Sequence, residues 1–154
     1  MIVAIDPGTS GCIAVLSPAG LLVDFCHMPT AKIGKRNRVN AAAIWGFLAP
    51  YADQVQHAYI EKVQSMPGQG VASMFSFGHA AGLVEGVVAG MQVPMTLVTP
   101  QSWKKHHGLI GKDKDASRTR CIQLYPECRE LDLKAKGQAL ADAVLIGLYG
   151  MAHG

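Results

Sequence analysis

Charge is scarce in this 154-residue sequence: only 16% of residues are Asp, Glu, Lys or Arg, and aromatic residues make up 6%. So low a charge excludes long solvated tails and charge-laced coiled coils. Paired cysteines are lacking as well. Cys12, Cys26, Cys121 and Cys128 show no Cys-x-x-Cys spacing, which leaves a zinc site without paired ligands and makes a disulfide framework a poor reading. Four reduced thiols in a cytoplasmic protein are expected. No uninterrupted apolar run nears the roughly 20 residues that cross a bilayer. The opening Met1-Ile2-Val3-Ala4-Ile5-Asp6 has no basic segment and meets a carboxylate at once. Neither a membrane partner nor a signal peptide is therefore expected.

What is abundant is apolar: 49% of residues are hydrophobic, with 17 Gly and 8 Pro. That composition and length suit one domain over residues 1–154 with a buried core. Residues 2–5, 13–16 and 21–25 read as three short strands joined by turn-rich loops. A polar, basic stretch follows at 30–38, with no acid in it. Asn40 is placed to cap a helix over 41–51. Residues 57–63 read as a fourth strand, 71–91 as a long helix and 95–98 as a fifth strand. Thr99-Pro100 starts another helix, and 112–124 and 136–151 are helical in pattern. This order predicts an α/β domain with a central mixed sheet. Along the long helix, Gly78, Gly82, Gly86 and Gly90 recur every four residues. Each weakens an isolated helix by roughly 1 kcal/mol relative to Ala, so the face they form calls for close approach by another element.

Three carboxylates stand in apolar surroundings: Asp6 at the end of the first strand, Glu61 near the end of the fourth, and Asp142 within Ala141-Asp142-Ala143-Val144. Taken singly each has an ordinary reading. Asp before Pro-Gly is a common turn residue, and a strand Glu often lies at an edge or pairs with Lys. Asp142 fits a solvated face poorly, because Ala139, Leu145, Ile146 and Tyr149 surround it. Together the three would repel one another unless a cation joined them. Oxygen ligands without Cys or His favour Mg²⁺ or Mn²⁺. The loop Asp6-Pro7-Gly8-Thr9-Ser10-Gly11 also matches the phosphate turn of sugar kinases and actin-like ATPases. Those enzymes enclose nucleotide between two lobes, and this chain has room for one.

Ten of the fourteen basic residues form two groups: Lys32, Lys35, Arg36 and Arg38, then Lys104, Lys105, Lys112, Lys114, Arg118 and Arg120 beside His106 and His107. On a weakly charged protein such groups suit phosphate-backbone contacts, the alternative being an ordinary solvated surface. Basic groups combined with buried carboxylates point to a metal-dependent nuclease.

The ordered motifs carry the reading further. Ile5-Asp6-Pro7-Gly8-Thr9-Ser10-Gly11, Ile60-Glu61-Lys62-Val63, the run Met66 to Gly78, Thr99-Pro100-Gln101-Ser102-Trp103-Lys104-Lys105 and Ala141-Asp142-Ala143 resemble Holliday-junction resolvases of the RuvC type, above all the short bacteriophage-encoded versions. The resemblance implies an RNase H-like fold with a five-stranded mixed sheet and flanking helices. It also implies a homodimer that cuts four-way and other branched DNA in bacterial or phage-infected cytoplasm. Asp6, Glu61 and Asp142 would hold two Mg²⁺ or Mn²⁺ ions per active site, with Lys104 and Lys114 near the scissile phosphate and Lys114 catalytic. Expected DNA contacts are Lys32, Lys35, Arg36, Arg38, Lys104, Lys105, Lys112, Lys114, Arg118 and Phe75, the last as a stacking residue. The alternative for Phe75 and Phe77 is a place in the core or a dimer contact. In one respect the chain departs from the family, which has an acid or a histidine about one helical turn before the last Asp. Here Gln138 and Ala139 occupy that turn. Either Asp132 substitutes, or the second ion is held poorly, or the chain binds branched DNA with weak or no cleavage.

Overall fold

Apolar alternation along the strands decides how the layers stack. A computed structural model describes residues 1–154. Strands β1 (Ile2–Asp6), β2 (Cys12–Leu16) and β3 (Leu22–His27) are followed by a separate hairpin, β4 (Thr30–Ile33) and β5 (Arg36–Val39). Then come α1 (Ala41–Leu48), extended by a 3₁₀ turn at Ala49–Tyr51, β6 (His57–Glu61), α2 (Val71–Gly90) and β7 (Met95–Val98). Helices α3 (Pro100–His106), α4 (Ala116–Leu124) and α5 (Lys134–His153) complete the chain. The main sheet has the order β3-β2-β1-β6-β7, antiparallel across β3, β2 and β1 and parallel across β1, β6 and β7. The expected five-stranded mixed sheet is present.

Side chains of one parity, Val3, Ile5, Ile13, Val15, Ala58 and Ile60, pack with Ile44 and Leu48 of α1 and with Ala80, Val84 and Val88 of α2. The other parity, Cys12, Ala14, Leu16 and Tyr59, meets Trp103, Cys121 and the α5 residues Leu140, Val144 and Leu145. Successive strand residues point to opposite faces, so Asp6 and Glu61 fall on the α5 side. Gly147 lets α5 lie flat on β1 and β2. A Cβ there would stand 2.8 Å from the Ala4 Cβ and 2.7 Å from Leu16 Cδ1.

Local signals account for the helix starts. Asn40 Oδ1 accepts from the Ala43 N–H at 3.2 Å, and Thr99 Oγ1 from the Ser102 N–H at 3.2 Å with Pro100 at the first helical position. All four cysteines are free, and burial pushes the Cys12 and Cys121 thiols up to about 12.

Several expectations need correction. The polar, basic stretch 30–38, given no secondary structure from its sequence, forms most of the β4–β5 hairpin. Its strands are exposed except at Arg38 and Val39, so no apolar alternation marks them. Helix α4 begins at Ala116, not Lys112. Gly111 takes φ +74°, and Asp113 Oδ1 accepts the Asp115 N–H at 3.1 Å, which holds Lys112–Asp115 as a turn. Phe75 and Phe77 are not core residues, being 62% and 46% exposed. Nothing in the chain lies within 4 Å of a Cβ placed at Gly78, Gly82, Gly86 or Gly90; the close approach their spacing calls for is not made by this chain. Although its sequence is broken by Gly, Ser and His, α2 is long and apolar enough to cross a membrane by length and composition, at mean hydropathy 1.3. One face of it is nevertheless in the core.

Candidate active site

The geometry begins at Asp6. Strands β1 and β6 run parallel with Ile5 beside Ile60, so Asp6 and Glu61 end adjacent strands on the same face of the sheet. The loop after Asp6 turns back at once, with the Gly11 N–H donating to the Gly8 carbonyl at 2.9 Å. A Cβ on Gly11 would collide with the Asp6 carbonyl, so this turn needs glycine. Asp142 comes down from α5 over the same sheet end. All three carboxylates are part-buried, sunk in the fold yet still reached by solvent.

Their acidities record the shared environment. Asp6 is pushed up to about 8, first by burial and then by the charges of Glu61 and Asp142, with Lys104 opposing. Burial raises Asp142 to about 6, the Ser117 hydroxyl and Lys104 lowering it and Glu61 raising it. Glu61 is raised by burial, against a hydrogen bond from Trp103 and the charge of Lys104. Desolvation and like charge disfavour ionisation together, and Lys104 is the cation common to all three groups. The carboxylates thus share one field. They do not form a closed cage, since no three acidic, His or Cys side chains are gathered tightly enough to enclose one ion.

Trp103 carries a role that the sequence left unread. Its indole N–H donates to Glu61 Oε2 at 2.6 Å while the ring is 1% exposed, which fixes the Glu61 carboxylate from the α3 side. Lys104 Nζ lies 5.3 Å from the Trp103 ring centroid. A pocket of about 120 Å³ opens beside Asp142, lined by Trp103, Lys104, Lys112, Lys114, Ser117 and Gln138 among others. Ser117 Oγ is sealed from solvent beside Asp142, and its hydroxyl helps to hold the Asp142 carboxyl down against burial. Nothing in its sequence context marks Ser117. Ala139 is buried. Asp132 is exposed and pairs with Arg129 at 3.3 Å; the structure does not bring it to the site.

The basic residues divide. Lys104, Lys112 and Lys114 are exposed at the pocket, and Lys105 is exposed nearby on α3. Lys32, Lys35 and Arg36 project from the hairpin, with Arg38 half-buried. Arg36, Arg38, Phe75 and His79 share a cleft with Thr9 of the Asp6 loop, and the Phe75 and His79 rings stack at 6.1 Å and 18°. Arg118 differs from the rest. Its guanidinium holds Asp115 through bonds of 2.7 and 2.9 Å and donates to the Leu131 carbonyl at 3.1 Å, so it ties α4 to the segment before α5 and is not free for phosphate. His107 is also committed, to the Leu145 carbonyl at 2.8 Å.

Searched as a sequence, the chain matches no protein-family model and no curated protein. Solved structures do match. Thermus thermophilus RuvC in complex with a Holliday junction substrate superposes with a TM-score of 0.59 at 17% identity, over 96% of this chain and 90% of that one. A second Thermus thermophilus RuvC structure gives 0.54 at 16%, over 96% and 91%. At such identities the likeness is one of fold, and the chain has the RNase H-like α/β fold of RuvC.

Proposed function

We propose that this chain is a divalent-metal-dependent endonuclease that cuts four-way and other branched DNA as a homodimer. The observation that carries the reading is the convergence of Asp6, Glu61 and Asp142, from three distant segments, on one sheet end beside Lys104. The likeness to a RuvC solved with its junction supports the substrate. The donor set fits hard cations, because all its charged members are oxygens and their mutual repulsion is relieved by positive charge. Asp6, Glu61 and Asp142 would hold Mg²⁺ or Mn²⁺, two per site. When bound, such ions supply a water of lowered pKa and neutralise the attacking and leaving oxygens of a phosphodiester.

The remaining work falls to the protein. Trp103 holds Glu61 in one orientation, so that the carboxylate loses little freedom on binding. Lys104 and Lys114 stand where a phosphate entering the pocket gains charge in the transition state. The hairpin lysines and arginines, with Lys105 and Lys112, supply backbone contacts, and the Phe75–His79 stack offers a platform for an unpaired base, worth about 1–3 kcal/mol per base. A junction has two-fold symmetry, which a C2 dimer with two sites matches. The open glycine face of α2, with Val71 86% exposed beside Phe75, is the surface we assign to that contact. Motif resemblance to the phage-encoded versions and four unpaired cysteines favour a bacterial or phage-infected cytoplasm.

A second reading, a branched-DNA-binding protein that does not cut, draws on Gln138 and Ala139 in place of an acid. A labelled four-way junction incubated with Mn²⁺ separates the two. Paired nicks by the wild-type chain, abolished in Asp6→Asn with the gel shift intact, are expected. Full binding without nicks selects the second reading, and undiminished cleavage by Asp6→Asn refutes the site.

A further inference from the structure

Three of the chain's six histidines lie together, away from the carboxylates. His106 closes α3 and His153 closes α5. His153 Nε2 and His106 Nδ1 stand 3.0 Å apart. The His106 ring lies 4.7 Å from that of His107 and 4.8 Å from that of His153. Tyr149, one helical turn before His153, lies against its ring at 4.5 Å and meets His106 edge-on at 5.6 Å, which limits how far either imidazole can turn. His106 and His153 are both exposed, and neither is paired with an acid. His107 has another task. Its ring is bonded to the Leu145 carbonyl, and burial lowers its pKa, so it stays neutral beside the pair.

We infer that His106 Nδ1 and His153 Nε2 form a surface site for a borderline transition dication of the zinc class, which clasps the end of α3 to the end of α5. Two neutral imidazoles facing each other have one N–H between two nitrogens. A dication that displaces that proton is coordinated by both. Two nitrogens on one tetrahedral zinc, each at 2.0–2.1 Å, are about 3.3 Å apart. From 3.0 Å the pair needs to part by only about 0.3 Å, each ring turning slightly toward the ion. Imidazole suits Zn²⁺, Ni²⁺ and Cu²⁺, whereas Mg²⁺ takes oxygen, so this site selects against the ion proposed for the carboxylates. The C-terminal end of the 20-residue α5 adds negative potential, and water fills the two remaining positions. Half the binding free energy of a four-ligand zinc site corresponds to a Kd of about 1–200 µM. Helix α3 also carries Trp103 and Lys104, which act on Glu61, so the clasp stiffens that side of the candidate active site. His153 nevertheless lies eleven residues beyond Asp142, ~16 Å along the helix, which keeps the two sites separate.

The test is a calorimetric titration of the full-length chain with Zn²⁺, Mg²⁺ being in large excess, on wild type, His106→Gln, His153→Gln and Asp6→Asn. Wild type and Asp6→Asn are expected to take up one Zn²⁺ alike. Each glutamine variant should bind it at least about tenfold more weakly, a lost ligand costing no less than a lost outer partner. Zinc at ten times its wild-type Kd should raise the melting temperature of wild type by about 3–6 °C, and that of either glutamine variant by no more than about 2 °C. Proton NMR of wild type alone identifies the ligands. Zinc should move the ring signals of His106 and His153 and leave those of His27, His57 and His79 in place, a result that holds even where a variant fails to fold. Equal uptake by the glutamine variants, ring signals that stay put, or no uptake at all overturn this inference and leave the nuclease reading standing. Uptake lost only in Asp6→Asn puts zinc on the carboxylates, which overturns this inference while supporting that reading.

Discussion

Asp6 concentrates the chemistry of single residues in this chain. Its carboxyl is held near 8 in the fold, against 3.8 when unperturbed, and that of Asp142 near 6. Both folded values lie above the unfolded ones, so between about pH 4 and 8 the folded chain binds more protons than the unfolded chain. Stability then falls as pH rises through that window. In EDTA the melting temperature is expected to drop by about 5 °C or more from pH 5 to pH 8. Asn at position 6 keeps the shape, cannot ionise, and should flatten most of that slope. An unchanged slope in Asp6→Asn would mean that the three acids do not share a field. Trp103 offers a complementary experiment. Trp103→Phe retains a buried ring but loses the indole N–H held 2.6 Å from Glu61. Cleavage should slow by about tenfold or more while junction affinity is kept, since an orienting partner is lost and no DNA contact is. Equal losses of both would place Trp103 in the DNA surface instead.

At the scale of elements, charge in the sequence and charge available to a ligand are different quantities. The hairpin β4–β5 carries Lys32, Lys35 and Arg36 exposed and Arg38 half-buried, and none of these enters an ion pair within the chain. Changing all four to Gln should reduce the slope of log affinity against log salt by up to about 3.6, about 0.9 for each phosphate contact removed. Arg118→Gln should leave that slope alone and lower thermal stability, because Arg118 braces α4 through Asp115 and the Leu131 carbonyl. Filter binding over a salt series, paired with melting curves, separates these outcomes. The same contrast explains what the sequence could disclose. Asp6, Glu61 and Asp142 were legible because a carboxylate among buried apolar neighbours is conspicuous in one dimension. The hairpin was not, since two solvated strands leave no apolar alternation to read. Arg118 looked like the lysines around it because its bond to the Leu131 carbonyl is made by folding, and Ser117 became notable only when folding buried it beside Asp142.

The molecule as a whole presents a face that its own fold does not fill. On α2 the glycines 78, 82, 86 and 90 have open space in front of them, while Ala80, Val84 and Val88 on the opposite side are buried in the core. Glycine in a helix weakens it, so the row is tolerated here without any benefit inside one chain. On the proposed dimer, a second α2 crossing it would supply the close backbone contact that small residues permit, and two-fold symmetry would then fix the spacing between two active sites. Gly82→Leu tests this without damaging the core, because Gly82 is exposed, a Cβ there meets nothing in its own chain, and leucine improves helix propensity. Sedimentation equilibrium at micromolar concentration should show wild type as a dimer and Gly82→Leu shifted toward monomer, with far-UV circular dichroism and melting temperature retained. Junction cleavage by the variant should change from paired to unpaired nicks, since the opposed strands would be cut by sites no longer held together. A variant that remains dimeric with paired nicking would move the dimer contact away from α2, whatever the fate of the metal site.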